Sequence, residues 1–376
     1  MTRPHDAADI DPDFSVHPGL ILRATLENKD IRQSELAERT GLSPKHINQI
    51  IKGNIGISSD VAVLLEKALG GEAELWINLD LKHALHVSRQ RDRARLPEFK
   101  SWMKSFDAPT AIRNGIYAKA DDDIQKVDKL LKFFGVTSPE AFEESWMRPK
   151  VSFRRSQLFE VEEHNTALWL RLVERNANHA DVGPFRPATI RKAARSLRQL
   201  TNLNVVDGFI AARSTLAEAG VVLTFVREVP KTRMCGATYW LAADRPVIAV
   251  TERHKRPDGL WWTIAHECGH VALHPRRTTF LDVDDDTKDD KYGHEAQADD
   301  FARTTLLPDG ATEKIATAET REDLIRLAAN LGVGPPIVAG QYARIMNSWG
   351  QPASGLRGAI TDTDVVALER AVRQPE

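Results

Sequence analysis

Residues 266–270 combine the side-chain types of a metal-dependent hydrolase. They read His-Glu-Cys-Gly-His, and two histidines four positions apart lie on one face of a helix, about one turn from each other. Both imidazoles can therefore reach one metal ion, and Glu267 lies beside them, where it can take a proton from a water molecule at that metal. The surrounding stretch, 261–273, reads as a buried helix. By itself the motif is only suggestive, because so short a pattern also arises by chance.

A strongly helical stretch that ends at Leu307 supplies a candidate third ligand. A catalytic zinc ion takes three protein ligands and keeps one open position, and Glu295 is the natural third ligand. Asp299 lies four residues later on the same face, where it can accept a hydrogen bond from a ligating imidazole. The alternatives are an ordinary exposed acidic helix and competition from His294 as a ligand. The predicted ligands of Zn²⁺ are His266, His270 and Glu295.

Strand patterns precede the metal motif. The segments 221–226 and 246–250 are β-branched and apolar, and 237–241 could form a third strand, with Asp244 near the turn. Helical patterns come before these segments and return at Leu260. This order of helix, strands and helix is typical of an α+β domain.

A second motif, at 33–43, has the pattern of a helix-turn-helix. Small Ala37 allows close helix packing, Gly41 makes the turn, and Ser43 with the following proline starts a second helix over 44–51. The side chains predicted to face outward toward base edges and phosphates are Lys45, His46, Asn48, Gln49 and Lys52.

Charge limits what this region can do. Residues 17–86 hold eight Lys/Arg and nine Asp/Glu, and the whole chain has a formal net charge of −2. Strong non-specific DNA binding is therefore not expected, and any DNA binding must come from a local surface. The alternative is a helical module kept for dimerisation or partner binding.

The metal motif and its flanks carry a family resemblance. Residues 252–274 and 295–308, together with the strand at 245–248, resemble the ImmA/IrrE family of metallopeptidases. The resemblance covers about 200–345 and implies a small α+β, zincin-like fold with a thermolysin-type ligand set. One departure from the family is the acidic insertion 282–290, which is predicted to be a solvated loop.

The N-terminal motif carries another resemblance. Residues 17–76 resemble the antitoxin-type Cro/CI-like helix-turn-helix regulators often called HigA-like. The matching pieces are 17–19, the helix-turn-helix itself, 56–58 and 68–76. This resemblance implies a five-helix DNA-binding domain that usually dimerises.

The chain has two cysteines, so no disulfide framework organises it, and a reducing cytoplasm is the natural compartment. Cys268 lies two residues past His266 and is expected to be a small core residue. Cys235 lies just before a strand that, by family resemblance, borders the active-site cleft. Its thiolate would be a good fourth zinc ligand and would act as an inhibitory latch. A buried or incidental cysteine is the alternative.

The chain as a whole is predicted to be multidomain and cytoplasmic. No apolar run approaches the roughly 18 residues that a membrane span needs, and residues 1–15 lack the hydrophobic core of a signal peptide. The predicted fold class is an all-α helix-turn-helix domain, a helical connector and an α+β zincin-like metallopeptidase domain. The predicted boundaries are a flexible tail at 1–16, the helix-turn-helix domain at 17–88, the connector at 89–150 and the metallopeptidase domain at 151–376.

Together these patterns predict a transcriptional regulator with zinc-dependent endopeptidase activity, in which Glu267 is the catalytic base. By family resemblance the substrate is a repressor or antitoxin, cleaved in trans or within the chain itself, in a stress, toxin–antitoxin or phage-related operon. The predicted partners are operator DNA, a protein substrate and a second copy of the chain, with no membrane. Two alternatives remain: a DNA-binding antitoxin or repressor whose zinc domain is a sensor or structural module, and a metal-dependent hydrolase of a non-peptide substrate.

Two finer expectations follow. Self-cleavage would fall between about 90 and 150, where exposed backbone could extend into a cleft. Tyr239 and His254 are candidates for stabilising the oxyanion of the reaction.

Overall fold

The computed structural model of the chain divides into two compact units, Met1–Lys100 and Ser101–Glu376. This division falls inside the segment 89–150, and the four-part division into domains stays a prediction. Of the predicted tail at 1–16, residues 1–14 lie outside the described residues. The structure describes residues 15–151, 162–274, 279–283 and 293–372.

The described part of the first unit consists of five α-helices and, after them, a short 3-10 helix (Leu96–Phe99). The α-helices are α1 (Pro18–Asn28), α2 (Gln33–Thr40), α3 (Pro44–Ile51), α4 (Ser59–Leu69) and α5 (Ala73–Arg95). Gly41 ends α2 in the left-handed conformation, with φ 74°, which glycine adopts without steric cost. Ser43 caps α3 by accepting a hydrogen bond from the backbone N–H of His46 at 3.2 Å. The predicted helix-turn-helix is therefore confirmed, including the bounds of its second helix.

The second unit begins with a long helical region. Its elements are α6 (Lys100–Lys104), α7 (Ala108–Arg113), α8 (Asp123–Phe134), α9 (Pro139–Phe142), a π-helix (Glu143–Val151), α10 (Glu163–Asn178), α11 (Pro187–Leu200) and α12 (Val205–Glu218). Between α10 and α11 the chain leaves the helical conformation over residues 180–186.

The segment from α6 to the π-helix packs against α10. Most of its aromatic side chains form one buried cluster, in which the rings of Phe106 and Phe142 lie 5.5 Å apart. From α10, Arg171 donates to the carbonyl of Phe133 at 2.7 Å, and Arg175 donates to the carbonyl of Asn114 at 3.0 Å. This segment is therefore folded through side-chain packing, and self-cleavage within 90–150 stays a prediction.

A small mixed sheet lies in the middle of the second unit. Its strands are β1 (Val222–Phe225), β2 (Met234–Ala242), β3 (Arg245–Val250) and β4 (Phe280–Val283). The order is β1-β3-β2-β4; β1 runs parallel to β3, whereas β2 runs antiparallel to both β3 and β4. The side chains of β1 are all buried, which explains the continuous apolar run in its sequence.

Helices complete the second unit. They are α13 (Pro257–Leu273), α14 (His294–Leu306), α15 (Ala311–Ala316), α16 (Arg321–Leu331), α17 (Pro335–Ile345) and α18 (Asp362–Val372). One hydrophobic core joins these helices to α11, α12 and the sheet. The predicted fold class, a helical helix-turn-helix domain followed by a helical region and an α+β domain, is confirmed. Among the described helices, none combines the length and the hydrophobicity that crossing a bilayer requires.

The prediction of a solvated loop at 282–290 is wrong at its start. Asp282 belongs to β4, which pairs with β2 through Asp282 and Gly236. The strand was missed because it is only four residues long and its partner lies far away in the sequence. Residues 284–290 lie outside the described residues.

Candidate metal centre and nucleic-acid interface

Helix α13 carries the metal motif between the sheet on one side and α14 on the other. His266, Glu267 and His270 are buried on it. Gly269 lets α14 approach closely, since a Cβ at this position would lie 3.0 Å from the Cα of Ala298. The two helices can therefore present their polar side chains to one point.

Three potential ligands meet at that point. One ligand atom from each of His266, His270 and Glu295 lies within 4.8 Å of the other two, and all three residues are buried. The Nε2 atoms of the two histidines are 3.0 Å apart. They lie 3.4 Å and 3.6 Å from the two carboxylate oxygens of Glu295.

The outer nitrogen of His266 contacts Asp299. Its Nδ1 lies 2.9 Å from Oδ1 of Asp299, so Nδ1–H donates and Nε2 is the nitrogen turned toward the other ligands. Burial by itself would lower the pKa of His266, but the contacts with Asp299 and Glu295 and the charge of Glu267 raise it to about 10. The surroundings thus stabilise a positive charge at this position.

The outer nitrogen of His270 contacts a second imidazole. Its Nδ1 lies 2.8 Å from Nδ1 of His274, whose Nε2 lies 3.3 Å from Oε1 of Gln297. Because the amide oxygen can only accept, the hydrogen-bond network assigns Nε2–H to His274 and Nδ1–H to His270. The Phe280 ring stacks on His270, with centroids 4.1 Å apart. His270 is therefore held in the tautomer and orientation that turn Nε2 inward.

Glu267 is fully buried next to these groups. The hydroxyl of Thr238, on β2, donates to its Oε2 at 2.6 Å, and its Oε1 has no hydrogen-bond partner among the described residues. Burial raises the pKa of Glu267, while His266 and the Thr238 hydroxyl act to lower it. Gly236 leaves room here, since a Cβ would lie 3.1 Å from Oε1. One carboxylate oxygen is thus fixed and the other is available to a small polar group.

This donor set fits a catalytic zinc ion. Two imidazoles and one carboxylate are a common zinc ligand set that leaves a coordination position open. The buried Oε1 of Glu267 lies beside that set and needs a hydrogen-bond donor, which a water molecule would supply. The residues predicted as ligands, base and hydrogen-bond acceptor are thus brought together, and their roles stay a proposal.

A cavity of about 710 Å³ opens beside the cluster and is lined in part by His266, Asp299 and Cys235. Among the described residues, the group with metal-ligand geometry does not include Cys235 or His294. Cys235 as a zinc ligand therefore stays a prediction. The other thiol, Cys268, is buried in the core, which raises its pKa.

The two oxyanion candidates lie in different places. His254 lines the cavity and holds a left-handed backbone conformation, with φ 65°. Tyr239 follows Thr238 on β2, so its side chain points to the opposite face of the sheet, where its hydroxyl donates to Glu174. The structure therefore does not bring Tyr239 to the cluster.

On the first unit, α3 presents the predicted DNA-facing side chains. Ile47, Ile50 and Ile51 of this helix are buried in the core. The amide of Asn48 donates to Oε1 of Gln33 on α2 at 3.5 Å. Lys45 and Lys52 are exposed, whereas His46, Asn48 and Gln49 are half-buried.

Some residues of the metal centre were not found from the sequence. His274 is the C-cap of α13, and its spacing of four from His270 also places its side chain on the metal face of that helix. That spacing was the available signal. Thr238 had none, because its contact with Glu267 joins residues 29 apart in sequence.

Family models match both units. Residues 219–339 match the Peptidase M78 model, described as the IrrE N-terminal-like domain, and residues 22–76 match a helix-turn-helix model. Two Dichelobacter nodosus proteins are similar over part of the chain. Virulence-associated protein I is 34% identical over 77 residues, which is 20% of this chain and 71% of that protein. Virulence-associated protein A' is 33% identical over 70 residues, which is 18% of this chain and 61% of that protein.

Two solved structures are similar over about a fifth of the chain. One, from Nostoc punctiforme, is described as an antidote protein of a plasmid maintenance system. It is 33% identical, covering 22% of this chain and 92% of that one, with a TM-score of 0.22. The other is an addiction module antidote protein of a HigA family from Coxiella burnetii. It is 25% identical, and the match covers 22% of this chain and 91% of that one, with a TM-score of 0.21.

Proposed function

This chain belongs to the helix-turn-helix family through residues 22–76 and to the IrrE-like Peptidase M78 family through residues 219–339, and we propose that it is a DNA-binding regulator that hydrolyses a peptide bond in a partner protein. One observation carries the proposal. Two imidazoles and a carboxylate meet at one buried point beside the carboxylate of Glu267. A metal site kept only for structure would need no buried base there.

His266, His270 and Glu295 would hold the metal ion, for which zinc is the best fit to this donor set. When bound, zinc activates a water molecule and polarises the scissile carbonyl. Asp299 and His274 keep the two imidazoles turned inward, so that the ligands are in position before the metal arrives.

Glu267 acts as the general base and then as the general acid. Its Oε1 accepts a proton from the attacking water and later delivers that proton to the leaving amine. Burial raises its pKa toward the neutral range, which favours both roles. Thr238 holds Oε2, so that Oε1 is the oxygen that faces the reaction.

The first unit would read DNA through α3. Its outward side chains combine two lysines, suited to phosphates, with Asn48 and Gln49, which can pair with adenine edges. Because the region is not basic overall, we propose binding that depends on sequence and on dimerisation rather than a general attraction to nucleic acid.

The substrate class would be a repressor or antitoxin cut in trans, in a stress, toxin–antitoxin or phage-related operon. The packing of the helices within 101–151 against α10 favours this arrangement over self-cleavage, because those helices would have to unfold before entering the cleft. The protein would act in the cytoplasm, where its DNA and protein targets are found.

The test is cleavage of candidate repressor and antitoxin proteins encoded near this chain. Each is incubated with the zinc-loaded full-length chain, with the chain plus chelator, and with the Glu267→Gln variant, and the fragments are identified by mass spectrometry. We expect cleavage only by the untreated wild-type chain. If no candidate is cut while the chain binds DNA, the protein is a repressor whose metal domain is a sensor or structural module. Fragments of the wild-type chain itself would indicate self-processing instead.

A further inference from the structure

The cavity beside the metal cluster has a second wall that the proposed reaction does not use. That wall is built by the first turns of α13, by α17 and by the segment 349–357. Helices α13 and α17 approach closely here, since a Cβ on Gly340 would lie 2.3 Å from a carboxylate oxygen of Asp258. One turn further along each helix, Arg344 lies over the ring of Trp262.

Positive side chains outnumber negative ones on this wall. Asp258 is buried and accepts two hydrogen bonds from Arg357, at 2.9 and 2.8 Å, so these two charges offset each other. Arg344 is exposed and has no carboxylate partner among the described residues. Its guanidinium carbon lies 4.1 Å from the centroid of Trp262. The wall therefore has a net positive charge, to which Arg344 and Arg256 contribute, and Arg344 is the arginine that lies over Trp262.

Stacking makes Arg344 a prepared binding group. A guanidinium that lies over an aromatic ring keeps its in-plane N–H donors available, and their spacing matches the two oxygens of a carboxylate. The indole also restricts the long side chain, so that less conformational entropy is lost when a ligand binds.

The opposite side of the cavity selects the kind of anion. Asp282 and Asp299 line the metal side and would repel a polymer with a phosphate at every unit. A peptide with one carboxylate can place it at Arg344 and keep neutral backbone near the two aspartates. A cavity of about 710 Å³ has room for such side chains.

We propose that this cavity is a carboxylate-binding subsite, in which Arg344 selects peptides with an acidic group at a fixed distance from the scissile bond. The acidic group is the side chain of Glu or Asp, or the C-terminal carboxylate of the substrate. The inference rests on the proposed peptidase function, since it names the class of peptide that this site takes. Arg344 is a specificity-determining residue and takes no part in the bond cleavage.

Peptide binding to the zinc-loaded, full-length Glu267→Gln chain tests this without relying on turnover. The probes are short, dye-labelled alanine–glycine peptides with an amidated C-terminus, in which one Glu is moved through every position, each with a Gln counterpart. One further probe has a free C-terminus and no Glu, and another is a single-stranded oligonucleotide. Binding is measured by fluorescence anisotropy in the Glu267→Gln background and in the same background with Arg344→Gln. The matched control is Arg191→Gln, an exposed arginine over the Phe301 ring outside the cavity.

At one position, the Glu peptide or the free C-terminus should bind at least about tenfold more tightly than its neutral counterpart, as charge-assisted hydrogen bonds allow. Arg344→Gln should remove this preference, and Arg191→Gln should keep it. Equal binding of charged and neutral peptides, a preference that survives Arg344→Gln, or tighter binding of the oligonucleotide would overturn the proposal. Cleavage of the same peptides by the wild-type chain is scored separately. Selective binding without cleavage would contradict the peptidase function and leave the subsite standing.

Discussion

The hydroxyl of Thr238 donates to Oε2 of Glu267 at 2.6 Å and also lies 3.1 Å from the Glu267 carbonyl oxygen. A residue of the sheet thus fixes the carboxylate that stands next to the metal ligands. Because Gly236 and Thr238 lie on the same face of β2, the strand provides both the space for this carboxylate and its orientation.

Replacing Thr238 by valine should therefore lower kcat by about 10- to 100-fold, the range expected for one hydrogen bond to a charged group, with little change in KM. In the wild type the hydrogen bond from Thr238 also lowers the pKa of Glu267, so the pKa of Glu267 should rise when this bond is lost. The acidic limb of the pH–kcat profile should therefore move to higher pH in the variant. Thr238→Ser keeps the hydroxyl and should retain activity. Steady-state kinetics in which valine and serine behave alike would show that the contact only packs the strand.

The imidazole of His274 should contribute to metal affinity although it is no ligand. Replacing it by alanine leaves His270 without its hydrogen-bond partner and should weaken zinc binding by about 10- to 100-fold. Competition with a fluorescent zinc chelator measures the change. His294→Ala is the control, because its ring lies 4.4 Å from that of His274 but outside the three-ligand group. A larger loss in His294→Ala than in His274→Ala would make His294 the ligand instead.

Zinc binding should release a proton near neutral pH. The pKa of His266 is raised to about 10 in the metal-free chain, so at pH 7 the imidazole is protonated and must lose its proton to bind zinc. The apparent zinc affinity should therefore increase with pH, by about tenfold per unit from this group, until the pH exceeds that pKa. Calorimetry in buffers of different ionisation enthalpy counts the protons. Asp299→Asn removes a contact that raises the pKa of His266 and should reduce the number of protons released. An unchanged number of protons would show that His266 does not contribute to the release.

The two thiols should differ in reactivity. Cys268 is buried and its pKa is raised, so it should resist iodoacetamide in the folded chain, while Cys235 lines the cavity and should react. If Cys235 caps the zinc ion as a latch, zinc should protect it and Cys235→Ser should raise basal proteolysis. Labelling that zinc does not change, together with an unchanged basal rate, would leave Cys235 as a wall residue only.

DNA binding should depend on α3 in two separable ways. Asn48→Ala or Gln49→Ala should cost about 1–3 kcal/mol on a specific site and relax its sequence preference. Lys52→Ala should weaken binding to all sequences alike, because a lysine contacts phosphates. A dimer should prefer half-sites about 34 Å apart. Gel shifts with the neighbouring promoter region measure these effects, and the absence of any complex at low salt would contradict a DNA-binding role.

Patterns that repeat locally were readable from the sequence. The bounds of α3 followed from the Ser43 cap and the buried isoleucines, and the i, i+4 spacing of His266 and His270 placed both on one face of α13. Likewise, the β-branched runs located β1 and β3. Each of these signals lies within one element, where a single periodicity decides the outcome.

Contacts between distant elements were not readable in this way. The partner of Glu267 lies on β2, and that of Trp262 lies on α17, so only the packing of whole elements brings them together. The fold of the segment 101–151 has the same origin. Its charged surface suggests a connector, but most of its aromatic residues are buried in one cluster, and side-chain packing of this kind has no signature of fixed spacing.

The turnover of Glu267→Gln at full zinc occupancy tests most directly whether Glu267 is the base of a zinc peptidase. The variant keeps the three metal ligands and should bind about one zinc per chain, while its cleavage of a verified substrate should fall by about 100-fold or more. His266→Ala, measured alongside, should lose the metal itself. Near-normal cleavage by zinc-loaded Glu267→Gln would contradict the proposed mechanism.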